Sequence, residues 1–189
     1  MNHTIYRYSA FLLLSAFISS PFLSFAQSTT TIQDGSTNSI AAQRDYIRGW
    51  RRGSNELQDK INTLGTTSTF SVYMPVLFGV EIKNITPNFG DPRSGGRSHQ
   101  GEDIMAVKGT PIVSPTEAVV LRIGVGAGEG NYVYTANPGG ETYVYMHLDR
   151  VAEGLTQGQT IERGALIGYV GNTGNASGGA AHLHFEIHD

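Results

Sequence analysis

The sequence predicts an all-β domain: a compact antiparallel sheet preceded by one short helix. Three observations predict it. Glycine is abundant, at 24 of 189 residues, while charged residues make up only 15%. That balance suits strands joined by tight turns better than a helical bundle. From residue 70 onward the chain breaks into short runs rich in Val, Ile, Tyr and Thr, separated by Gly and Pro. These runs, at 72–78, 104–107, 118–123, 132–135, 142–148, 165–170 and 182–187, have the length and composition of strands. No helical periodicity of useful length follows residue 70.

The length suffices for one domain of ordinary size with a proper core, plus extras. The formal net charge is −3, so nothing pulls the chain toward nucleic acid and no such partner is expected. There are no cysteines, which excludes a disulfide framework, a cysteine-based metal site and a cysteine nucleophile.

Four segments follow one another. Residues 1–26 read as a secretory signal peptide. Arg7 gives a weakly positive start, residues 10–18 form a short apolar core, and Ser24-Phe25-Ala26 puts small residues at the −3 and −1 positions. Ser19, Ser20 and Pro21 interrupt the apolar run, which argues against a spanning anchor. The expected location is outside the cytoplasm: periplasm, cell envelope or secreted. Residues 27–39 are polar and read as a flexible linker. Residues 40–64 carry Ile40, Ile47, Trp50, Leu57, Ile61 and Leu64 at a/d heptad spacing. They predict an amphipathic helix capped by Ser39 and closed by Gly65. Gly49 and Gly53 weaken it by about 1 kcal/mol each, so it must pack on the main domain or on a second copy. Arg44, Arg48, Arg51 and Arg52 surround Trp50; they suit either an anionic envelope partner or a solvated face. Residues 65–69 form a joint, and the sheet domain occupies 70–189.

Chemistry concentrates in three places. In the run His182-Leu183-His184-Phe185-Glu186-Ile187, strand alternation sends Leu183, Phe185 and Ile187 into a core and His182, His184 and Glu186 the other way. Two histidines on one strand face lie roughly 6.5–7 Å apart along the backbone, close enough to lean toward one ion or its water. In 142–148 the same alternation predicts that Tyr143, Tyr145 and His147 share one face, and Val144, Met146 and Leu148 the other. His99 and Asp103 stand four apart with Gly101 between them, in a loop entering a strand. Imidazole nitrogen and carboxylate oxygen both suit zinc, at about 2.0–2.2 Å. Of the six histidines in the chain, four fall in these three motifs; His3 lies in the leader and His188 at the tail.

His99 and Asp103, then Tyr145-Met146-His147-Leu148, then His182-Leu183-His184-Phe185-Glu186 resemble the lysostaphin-type (LytM-like) zinc metallopeptidases of bacterial cell walls, which are peptidoglycan endopeptidases. Asn88-Phe89-Gly90-Asp91-Pro92-Arg93 is similar to that family's Phe-Gly-x-Arg opening. Runs 109–113, 158–164 and 167–174 are similar to its turns. The resemblance covers about residues 70–187. It implies Zn2+ held by His99, Asp103 and His184 in a groove of the sheet, with His147 and His182 as an unliganded catalytic pair. Departures are the charged middle residue of Gly101-Glu102-Asp103, a looser 178–181 stretch, and an end at Asp189 where relatives are expected to continue with a short closing segment. Glu102 is expected to point to solvent or to compete for the metal.

The implied reaction is hydrolysis of a peptide link by a zinc-activated water, with peptidoglycan stems or cross-bridges as substrate. No His-Glu-x-x-His glutamate is present, so His147 and His182 are expected to manage protons and steady the oxyanion, with Tyr143 and Tyr145 as possible helpers. Two other classes compete. A non-catalytic envelope protein of the same fold, binding cell wall or activating an amidase, fits the helical arm but leaves the five-residue set unused. A biotinyl or lipoyl carrier would need Lys108 in a Met-Lys-Met setting, which is absent.

Overall fold

A computed structural model describes residues 4–6, 53–93 and 95–189. Except for residues 4–6, the predicted leader, the linker and residues 40–52 of the predicted helix lie outside the described residues. Strand β1 (Thr4–Tyr6) pairs antiparallel with β2 (Ser71–Tyr73). Cleavage after Ala26 would remove β1.

Two sheets make the body of the domain. Seven strands form the larger: β3 (Ile85–Thr86), β6 (Glu102–Met105), β8 (Ala118–Gly126), β9 (Gly130–Ala136), β10 (Thr142–Leu148), β12 (Thr160–Ile161) and β14 (His182–His188). Their spatial order is β12-β8-β9-β10-β14-β6-β3, and every pairing is antiparallel. The smaller sheet runs β11 (Arg150–Val151), β13 (Leu166–Tyr169), β7 (Pro111–Val113). A hairpin of β4 (Pro92–Arg93) and β5 (Arg97–Ser98) stands apart. The all-β expectation holds, and no α-helix follows residue 70 among the described residues. The expected strand at 72–78 stops at Tyr73, leaving one isolated bridge between Val76 and Ile112. Pro75 has no N–H to give a ladder, and Phe78 turns into the left-handed region at φ 63°.

The main core lies on one face of the large sheet. Val120, Tyr143, Tyr145, Leu148, Leu183, Phe185 and Ile104 pack there with Ile112, Ile167 and Val170 from the smaller sheet and its flank. The opposite face carries a second cluster, built from Val119, Leu121, Tyr132, Tyr134, Val144 and Met146 under a helix.

That helix, α1, spans Asn55–Asn62. It is shorter than the helix expected over 40–64. Gly53 and Ser54 are not helical: Ser54 takes extended backbone at ψ 155° and accepts a hydrogen bond from Leu57 N at 3.3 Å, so it caps a new start. The end also comes earlier. Thr63 closes the helix through Oγ1 to the Lys60 carbonyl at 2.7 Å, and Gly65 does not take the left-handed conformation of a closing glycine. Eight residues do not hold a helix alone. Leu57, Ile61 and Leu64 are buried on the sheet, and Lys60 Nζ donates to the Gly158 carbonyl at 3.0 Å. The apolar stripe of 57–64 therefore packs on the main domain.

Candidate metal centre and its histidine pair

Register brings the site together. β14 lies between β10 and β6, with His184 opposite Asp103 on one side and Met146 on the other. Leu183 and Phe185 enter the main core, as alternation demands, so His184 and Glu186 stand on the opposite face. That is also the face covered by α1, farther along the sheet.

His99 reaches the site from the loop between β5 and β6. The loop lies so close to β14 that a Cβ on Gly101 would stand 2.4 Å from the Phe185 carbonyl oxygen and 3.0 Å from the His184 ring. Only glycine fits there. Three atoms then converge: His99 Nε2 is 2.8 Å from His184 Nδ1 and 3.2 Å from Asp103 Oδ1, and His184 Nδ1 is 2.9 Å from Asp103 Oδ1.

The far side of each ring fixes its protonation. His99 Nδ1 donates to the Asn88 carbonyl at 3.0 Å, and His184 Nε2 donates to Glu186 Oε1 at 2.8 Å. A carbonyl and a carboxylate can only accept. When both rings are neutral, each aims a lone pair at the same point, beside a carboxylate oxygen, and that arrangement suits a cation. Zinc bonds of about 2.0–2.2 Å in a tetrahedron put ligand atoms roughly 3.3–3.6 Å apart, so the cluster would open by less than roughly 1 Å to take the ion. His99, Asp103 and His184 could hold a metal ion.

Electrostatics agree. Burial opposes ionisation of Asp103, but hydrogen bonds from His184, His99 and Asn88 outweigh it and hold the carboxyl far below the usual carboxylate range. Burial works against a charged His184 too, yet Asp103 and Glu186 together push it up to about 9. Without metal, a proton takes the place of the cation between these groups. Burial resists the charge on Glu186, but His184 and His188 hold it down at about 2.

His147 arrives by a different route. On a regular strand it would share the face of Tyr143 and Tyr145, in the main core and away from His184. Instead the β9–β10 register shifts between Tyr145 and Leu148, and His147 sits at φ 61°. This left-handed residue inverts the alternation. Leu148 drops into the main core beside the tyrosines, and His147 turns to the site, its ring 5.0 Å from that of His182 and 5.8 Å from that of His184. The expected shared face of Tyr143, Tyr145 and His147 is thus corrected, as is that of Val144, Met146 and Leu148. Both tyrosines are buried on the other side of the sheet and take no part in the site. Burial, and for Tyr143 the Glu141 carboxylate, raise their hydroxyl pKa values further.

His147 and His182 are oriented alike. Nδ1 of His147 donates to the Thr173 carbonyl at 3.0 Å, and Nδ1 of His182 to the Ala180 carbonyl at 2.9 Å. Each is left with Nε2 toward the site, that of His182 lying 3.7 Å from Asp103 Oδ1. Burial and the neighbouring His182 and His184 lower the His147 pKa to about 4, so the ring is neutral near pH 7.

All five expected residues are therefore gathered at one place. Sequence reasoning missed others. Asn88 holds two members of this group at once, through its carbonyl to His99 and its side-chain amide to Asp103 Oδ2 at 2.6 Å. Its place beside Phe89-Gly90 was the available signal. Glu186 was visible on the right face, but not its bond to His184. His188, set aside as tail, donates from Nε2 to Glu186 Oε2 at 2.6 Å. Glu102, the feared competitor, is partly buried and stands outside the metal-holding group; burial raises its pKa against the Asn88 N–H.

Residues 97–189 match the family described as Peptidase family M23. The chain is 34% identical to the peptidoglycan DD-endopeptidase ShyC of Vibrio cholerae over 116 residues, which are 60% of this chain and 25% of that protein. It is 33% identical to the L-Ala–D-Glu endopeptidase of Bacillus subtilis over 107 residues, 53% of this chain and 33% of that protein. Among solved structures, LytU is 34% identical, with 59% of this chain and 74% of that chain covered, at a TM-score of 0.48. The chain thus spans a quarter to a third of the length of these two curated relatives.

Proposed function

Since the chain belongs, through residues 97–189, to peptidase family M23, we propose that it is an exported zinc endopeptidase that hydrolyses peptide cross-links of bacterial peptidoglycan. One observation carries the reading. Three ligand atoms converge beside two further histidines whose Nε2 atoms are left open. A donor set of two imidazoles and one carboxylate suits zinc with an open coordination position. A bound zinc would supply a Lewis acid that acidifies water and polarises the scissile carbonyl.

The chain's own residues do the rest. Asn88 and Glu186 fix the ligand rings so that their lone pairs face inward. The Thr173 and Ala180 carbonyls hold His147 and His182 in the tautomer that leaves Nε2 available. These two Nε2 atoms share the proton traffic: water adds to the carbonyl carbon, its proton passes to imidazole, and the leaving amine takes a proton as the C–N bond breaks. The protonated ring also steadies the oxyanion. Export rests on the composition of residues 1–26; among the described residues, no helix is long and apolar enough to cross a membrane. Leu57, Ile61 and Leu64 are already buried on the sheet, so a second copy or an envelope partner would meet residues 40–64 through other side chains.

The test is metal analysis of the purified full chain, followed by digestion of cross-linked muropeptides with products identified by mass. Zinc near one equivalent with cleavage at a stem or cross-bridge amide supports the reading. Zinc without cleavage would favour a non-catalytic wall protein.

A further inference from the structure

His147 faces the metal centre only because the chain inverts at its own φ of 61°. The β9–β10 register shifts there, and pairing resumes with Leu148 opposite Asn131. The carbonyls of Leu148 and Asp149 are met by a side chain. Asn131 Nδ2 donates to both, at 2.9 and 3.0 Å, so the two N–H bonds of one amide fix two successive peptide planes. Thr173, from the loop before β14, closes the arrangement. Its Oγ1 accepts from Asn131 N at 2.9 Å and donates to the Leu148 carbonyl at 2.8 Å. The Leu148 carbonyl thereby uses both of its lone pairs. The carbonyl of the same threonine accepts from His147 Nδ1 at 3.0 Å. One residue thus touches both the turn and the ring that the turn aims. The fit is close: Gly130 sits at φ 65°, and a Cβ on it would collide with Thr173 Oγ1.

We propose that Asn131 and Thr173 are positioning residues for the reaction: the Asn131 amide and the Thr173 hydroxyl latch the left-handed turn so that His147 Nε2 faces the metal centre. This rests on the peptidase reading above. A residue that carries a Cβ resists the left-handed conformation, which persists only where its surroundings over-determine it. Here the two Asn131 amide bonds and the Thr173 hydroxyl bond do so, all on the two carbonyls that follow His147. Without them the turn can relax to ordinary strand geometry. Alternation then sends a side chain at 147 toward the main core, away from His184. Neither residue belongs to the group that could hold the metal, so the latch acts on the proton-handling ring and not on the ion.

Two substitutions in the zinc-loaded full chain test the latch. Asn131→Ala removes the amide, and Thr173→Val keeps the shape of threonine but loses the hydroxyl. In each, zinc content and KM for a cross-linked muropeptide should hold while kcat falls roughly 10²-fold, the cost of misplacing a reacting group by about 1 Å. Thr173→Ser restores a hydroxyl and should recover most of the loss seen in Thr173→Val. In a His147→Ala background neither substitution should lower kcat further, because the ring they position is gone. Long-range proton–nitrogen NMR reads that ring directly. His147 should hold the Nδ1–H tautomer in the unaltered protein and a mixture of tautomers in Asn131→Ala and Thr173→Val. An unchanged kcat in both variants overturns the proposal. So does a further loss in the His147→Ala background, or loss of zinc, either of which would make the two residues general supports of the domain. If the unaltered protein holds zinc but cuts nothing, the peptidase reading falls and the tautomer decides the latch by itself: a His147 ring unchanged in both variants removes it. Thr173→Val settles the matter should Asn131→Ala fold poorly.

Discussion

β14 and the end of β10 supply three of the four site histidines by opposite means. β14 obeys strand alternation throughout, so His182, His184 and Glu186 share a face because they are two residues apart. β10 obeys it only to Tyr145; His147 reaches the same site because the backbone inverts there at φ 61°. His182 and His184 are thus placed by regular sheet geometry. His147 depends on a local strain that regular geometry would forbid. A left-handed non-glycine residue costs about 1–2 kcal/mol, and the surrounding sheet holds it in place.

The contrast can be broken most severely from the β14 side. His184→Ala should remove zinc and hydrolysis together, since one ligand atom and the anchor of Glu186 both go; metal analysis and muropeptide digestion read the two losses. His147→Ala should separate them, keeping zinc near one equivalent while kcat falls roughly 10²- to 10⁴-fold. Near-normal hydrolysis in that variant would take His147 out of the reaction. A smaller effect is expected from Glu186→Gln, which keeps the shape but loses the charge behind His184. Zinc affinity should fall roughly 10- to 100-fold in a competition titration with a chelator, with the fold intact. The smallest effect isolates the strain itself. His147→Gly should be more stable than His147→Ala by about 1 kcal/mol in denaturant unfolding, because glycine accepts the positive φ freely. Equal stabilities would mean that the inversion carries no strain.

Legibility followed the same line. The all-β class, most strands after residue 70 and both faces of β14 were readable, because periodicity and burial agree there. The extent of α1 was not: Ser54 opens a new helix inside a continuous heptad pattern, and a cap residue competes with periodicity rather than following it. The faces of β10 were misread from Tyr145 onward, since no residue type announces a left-handed histidine. His147 was identified through the family resemblance and not through its strand. Thr173 and Ala180 act on His147 and His182 through backbone carbonyls, which every residue carries, so side-chain identity gave no clue to them.

The place of β14 in the sheet sets an order of assembly. His99 and Asp103 precede His184 by 85 and 81 positions. The strand bearing His184 must then slide between two others, one of them built much earlier. A chain emerging from its N-terminal side therefore carries His99, Asp103 and His147 before His184 exists. The group of His99, Asp103 and His184 is completed only when the sheet closes, a long-range pairing of the kind that forms slowly in folding.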